Sequence, residues 1–155
     1  MKSIKTRHAV VALATLVAAF SVQAQNAFMS EPVQIAAAKP SQAADAKTYR
    51  KDGARHIYDA YPDRIYRGKL PPLLHAVAVV ETVIDEQGQV VEINMIREPS
   101  HAPQVTAAVR EMIKRVQPLP APARMSGGVR YTDVWLVDAS GRFQLDTLTE
   151  GQRRN

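Results

Sequence analysis

The chain has 155 residues, 46% of them hydrophobic, no cysteine and a formal net charge of +5. That length holds one domain plus an additional segment, and the lack of thiols excludes disulfides, Cys-ligated zinc and thiol chemistry. Lys2, Lys5 and Arg7 supply three of the 20 basic residues, so residues 25–155 carry 17 against 15 acidic ones. The remaining basic clusters are short (Arg50-Lys51, Arg64/Arg67/Lys69, Lys114-Arg115). No concentrated basic face follows from them; they read as solvated surface charge, and no nucleic-acid partner is predicted.

Residues 1–24 read as a signal peptide. Basic residues precede an apolar run from Ala9 to Val22, and Val22-Gln23-Ala24 supplies a small-residue cleavage site. The run falls short of the roughly 20 residues a membrane-spanning helix needs. A retained inner-membrane anchor is the alternative. Residues 25–47, rich in Ala, Gln, Ser and Lys, read as a flexible leader, and 48–149 as the folded domain. A polar tail covers 150–155.

Within the domain, Tyr49, Ile57, Tyr58 and Tyr61 line part of a helix weakened by Gly53. The tyrosines are expected to pack on a sheet with their hydroxyls at the surface. Pro62 to Arg67 forms a short turn ended by Gly68, and Pro71-Pro72 leads into extended chain. Leu73 to Arg97 then reads as two β-rich runs folded back at Asp85-Glu86-Gln87-Gly88. Ala76, Ala78, Val80, Thr82 and Ile84 share one face of the first run, which is expected to be central and well covered. The alternation slips near Val90-Val91, which predicts a bulge.

Pro103 opens the clearest helix. Val105, Ala108, Val109, Met112, Ile113 and Val116 fall on one stripe, and Pro118, Pro120 and Pro122 end it. Val129 to Val137 forms a third strand, and Arg142 to Leu148 a fourth, half-exposed edge strand. The fold expected is α+β, a two-layer sandwich. Its small, mainly antiparallel sheet has strand order 2-1-3, with room for a fourth strand at the edge, and helices cover one face.

No catalytic constellation emerges. His56, His75 and His101 are scattered; His56 with Asp59 reads as a surface ion pair rather than a metal site. Asp85 and Glu86 suit a turn. Ser100-His101 has no nucleophile elbow, and Gly127-Gly128 no phosphate-binding context. Neither an enzyme nor a metal or small-molecule cofactor is predicted. Trp135 reads as a packed sheet aromatic or as an interface anchor.

The ordered set Tyr61-Pro62, Val83 to Val90, Val105 to Val109 and Pro118 to Pro122 resembles the TonB C-terminal domain over roughly Tyr49 to Leu148. The resemblance implies a periplasmic domain of a Gram-negative bacterium that binds a short segment of an outer-membrane transporter. In that family the domain couples this segment to an inner-membrane energy source. A cleavable leader and a short spacer depart from the family pattern and remove the mechanical link. The expectation that survives is strand addition by an envelope or outer-membrane protein segment. Its site is the outer edge of the third strand: Arg130, Tyr131, Thr132, Asp133, Val134, Trp135 and Leu136. The fourth strand is expected to cap that edge at rest. A structural envelope protein forming a homodimer through the same edge is the alternative; with the anchor retained, so is a TonB-like energy transducer.

Overall fold

A computed structural model describes residues 38–149. The signal segment, most of the leader and the tail lie outside the described residues. In chain order the elements are α1 (Ala46–Ala60), a 3-10 turn (Pro62–Arg64), β1 (Ala76–Ile84), β2 (Val90–Arg97), α2 (Pro103–Arg115), β3 (Val129–Val137), β4 (Phe143–Leu145) and a second 3-10 turn (Asp146–Leu148). The strands form one antiparallel sheet in the order β2-β1-β3-β4. The α+β two-layer fold and the 2-1-3 order with a fourth strand outside are as expected.

β1 is central, and its burial alternates along its whole length. Ala76, Ala78, Val80, Thr82 and Ile84 are buried beneath the helices, while Val77, Val79, Glu81 and Val83 are only half-covered on the open face. Coverage is therefore one-sided. Small residues on β1 make room for large ones on β3: Ala78 stands opposite Trp135. The hairpin bulge falls at Val91, because Ile84 pairs with Val90 and Val83 with Glu92. A second slip leaves Ile96 unpaired between Val79–Arg97 and Val80–Met95.

Asp45 caps α1, its side chain accepting from the Thr48 N–H at 2.8 Å, and Ala43 is buried. Ser41 bridges to Pro122. The end of the supposed leader therefore belongs to the fold, because an N-cap and a backbone bridge tie it down. Tyr49, Ala54, Ile57 and Ala60 are buried on α1, which packs over β3 and the second 3-10 turn. Gly53 is the point of closest approach: a methyl group there would come within 3.2 Å of the Tyr131 hydroxyl. The tyrosine hydroxyls do not all reach the surface. Tyr49 donates to Pro120 O at 2.7 Å and Tyr61 to Met112 O at 3.0 Å, each buried. A buried hydroxyl must find a carbonyl, and the proline-ended segment after α2 supplies one.

The α2 stripe behaves as its spacing predicts. Val105, Val109, Met112, Ile113 and Val116 are buried, and Ala108 is half-buried at the margin. Each fully buried side chain contributes roughly 1.5–3 kcal/mol of transfer free energy. The fourth strand is shorter and deeper than its alternation implied. It ends at Leu145, and Phe143, Gln144 and Leu145 are all buried. Asp146 to Leu148 turns away into the 3-10 geometry.

Candidate functional site

The candidate site is the outer edge of β3. The Val134 N–H donates to Asp133 Oδ1 at 2.8 Å rather than to β1. Main-chain groups alternate in direction along a strand, so Arg130, Thr132, Val134 and Leu136 all direct theirs away from β1. Leu136 meets Gln144, and β4 covers Trp135 to Val137. Among the described residues, no strand lies outside Val129 to Val134.

β4 itself offers no new edge. Its outward carbonyl at Phe143 accepts from the Tyr66 N–H at 2.9 Å, and its outward N–H at Leu145 donates to the Tyr58 hydroxyl at 3.0 Å. The Gln144 amide adds bonds to Tyr66 O and Gly68 O. This corrects two expectations. The fourth strand is buried between β3 and the Ile65 to Gly68 segment, not half-exposed. Trp135, 1% exposed and 4.7 Å from the Phe143 ring, is packed against β4 rather than standing at a free edge. Leu136 is likewise covered by β4, so five of the seven predicted residues remain at the edge.

Those five divide by face. Arg130 and Thr132 are exposed on the open side, Tyr131 and Asp133 are buried under α1, and Val134 is half-buried. On the open side Arg130 pairs with Glu81 on β1 and lies 3.7 Å from Glu92 on β2. Donation from Asn94 at 3.3 Å, and then from Arg130, holds the Glu81 carboxyl below its usual range. This cross-strand cluster orients Arg130 beside the edge.

The buried side is unusual. Asp133 is 4% exposed; its Oδ1 holds the Val134 N–H, and its Oδ2 has no well-formed hydrogen bond. Hydrogen bonding from the side chain and backbone of Thr147 on the second 3-10 turn, and the charge of Arg50 on α1, both favour the ionised carboxylate. Their Oγ1 and Nε atoms are nonetheless buried without a well-formed bond. Burial pushes the Asp133 carboxyl up to about 6 against these lowering influences. Burial also raises the neighbouring Tyr131 hydroxyl.

A carboxyl whose folded value lies above its unfolded value binds its proton more tightly when folded. Stability from this group is therefore complete below about pH 4 and is lost as pH rises through about 6. The loss at neutral pH is about 3 kcal/mol at most. Asp133→Asn retains the acceptor for Val134 and puts a donor toward Thr147. Urea unfolding should find the variant about 1–3 kcal/mol more stable than the native chain at pH 8, the gap closing toward pH 4. A gap that does not change with pH would show that Asp133 titrates normally.

The opposite edge is already managed. On β2, Val90 N–H donates to Gln117 Oε1 at 2.7 Å and Ile93 O accepts from Arg110 at 2.8 Å. The slips at Val91 and Ile96 break the regular ladder that a new strand requires.

The other polar residues are committed locally. His56 is buried and donates from Nε2 to Val116 O at 2.7 Å; it does not form the surface ion pair with Asp59 that its spacing suggested. His56 borders an open cleft of about 590 Å³ between α1 and residues 38–42. There Asp52 is held by Ser41 at 2.6 Å and by Arg55 at 3.2 Å. Asp85 Oδ1 accepts from Gln87 and Gln89, a turn role, and His101 bonds to His75 O at 2.6 Å. Among the described residues no group of three or more His, Asp or Glu could hold a metal, and no helix is long and apolar enough to cross a membrane.

Three contributors to the edge escaped sequence reasoning. By sequence Tyr58 reads as a packing tyrosine, Arg50 as surface charge and Thr147 as part of a continuing strand. Only Tyr58 left a signal, its place on the α1 aromatic stripe. No family model, curated protein or solved structure matches the chain.

Proposed function

We propose that this domain is an exported, periplasmic protein-interaction module that binds an extended segment of an envelope or outer-membrane protein as an added strand on β3. One observation carries the reading: β3 is nine residues long, whereas β4 pairs with only three of them. In the remaining stretch Arg130 and Thr132 direct main-chain donors and acceptors outward from a strand paired to central β1, while the Val134 N–H is held by Asp133. An extended segment gains affinity from such groups and selectivity from the side chains between them. The closure of β4 by Tyr58 and Tyr66, and of β2 by Arg110 and Gln117, leaves this stretch as the remaining rim, bordered at Asp133 by the second 3-10 turn, which an added strand displaces.

The test is an amide-shift titration of the labelled chain with peptides drawn from periplasmic segments of outer-membrane proteins. Binding peptides should perturb Arg130 to Val134 and Asp146 to Thr149 first. Perturbation confined to β2 or to the cleft beside α1 would overturn the reading. Shifts at Arg130 to Val134 that grow with protein concentration in the absence of peptide would instead identify a homodimer through this edge.

A further inference from the structure

Resting on the strand-addition reading, we infer that Asp133 is the specificity-determining residue of this edge, selecting a partner strand that places a short hydroxyl side chain, Thr or Ser, opposite it. The argument starts from register. Trp135 pairs with Leu145, Leu136 with Gln144 and Val137 with Phe143, so an unbroken β4 would set Thr147 opposite Asp133. The chain leaves the ladder at Asp146, yet Thr147 still stands beside the Asp133 carboxylate. The 3-10 turn thus occupies the position where an added strand would lie, but without completing its bonds. Asp133 Oδ2 and Thr147 Oγ1 are both buried without a well-formed hydrogen bond, although Thr147 acts on the carboxylate from both its side chain and its backbone.

A fully extended partner corrects this mismatch. With the turn displaced, its hydroxyl would take the place of the Thr147 hydroxyl and donate to the Asp133 carboxylate. Chemistry narrows the choice further. A carboxylate opposite Asp133 meets like charge in a buried setting and is rejected. A valine has the shape of threonine but leaves Oδ2 unpaired, and leaving a buried polar group unpaired is where discrimination between near-isosteres is largest. Lysine or arginine would compete with Arg50, which already acts on the same carboxylate from α1. The small neutral donor fits best.

The experiment uses the full chain and a positional library of nonapeptides built on an alternating Val/Ser host. Each position in turn carries Thr, Val, Asp or Lys, and binding is read by titration together with the amide shifts of Arg130 to Val134. At one position Thr should bind about tenfold more tightly than Val, with Asp rejected. In Asp133→Asn, whose side chain retains the acceptor for Val134, that difference should shrink and the Asp guest should be tolerated. Peptides that bind at Arg130 to Val134 without distinguishing Thr from Val, or with the same preference in Asp133→Asn, would overturn the inference and leave strand addition standing. Failure of every peptide to shift these amides would overturn both.

Discussion

Gly88→Ala and Gly128→Ala should each cost about 4 kcal/mol or more, enough to leave little folded protein. Gly88 has φ +82°, and a methyl group there would lie 2.0 Å from the Leu119 carbonyl oxygen. At Gly128, also at φ +82°, it would lie 2.0 Å from Ile84 O. In both cases the obstacle is backbone, which cannot swing aside. The contact at Gly88 is also part of the packing: Leu119 N–H donates to Gly88 O at 2.8 Å, fastening the β1–β2 turn to the proline-rich segment. Gly68 separates clash from conformational strain. It has φ +83° but no atom within 4 Å of the added methyl, so Gly68→Ala should lose only about 1–2 kcal/mol. Urea midpoints for the three variants decide the matter; equal losses at Gly68 and Gly88 would mean that strain, not contact, dominates.

Trp135→Ala should lose about 3–5 kcal/mol, the range for removing a buried aromatic from a core. Trp135 sits over Ala78 in the centre of the sheet and against Phe143, so the cavity would open where β4 docks. The loss should not spread evenly. β4 has three paired residues and depends on this ring contact, so amide exchange at Gln144 should quicken more than exchange in β1. Val134→Ala, at a half-buried position on the open face, should cost less than about 1.5 kcal/mol. If Trp135→Ala destabilises the chain yet leaves the exchange at Gln144 in step with β1, β4 is held by its Tyr58 and Tyr66 contacts instead.

The two predictions bear on the proposed edge in different ways. The glycine contacts fix the far end of the β1–β3 ladder, where Arg130 faces Val83. Trp135 fixes the end where β4 stops. Between them lies the rim from Arg130 to Val134, so both ends of the available stretch are set by packing and not by its own residues.

Much of this architecture was legible in the residue pattern. The α2 stripe, the β1 alternation, the Asp85–Gly88 turn and even the slip at Val91 follow from periodicities of two and of 3.6 residues, which depend on near neighbours. The pattern misjudged Phe143 to Leu148 for the same reason. Alternating Phe, Gln, Leu and Asp describe a half-exposed strand locally, but Gln144 is buried because its amide bonds to Tyr66 O and Gly68 O. His56 was misplaced similarly, its partner being a carbonyl 60 residues along the chain.

By itself the sequence determined the element order, the two-layer class and the identity of β3 as the strand beside β1, because apolar spacing and turn chemistry act over a few residues. The tertiary structure alone decided which stretch of main chain stays open. Edges are closed by distant groups, such as Tyr58 for Leu145, 87 residues apart, and Arg110 for Ile93. Such pairings arise from how the helices and loops settle on the sheet, and no local periodicity encodes them.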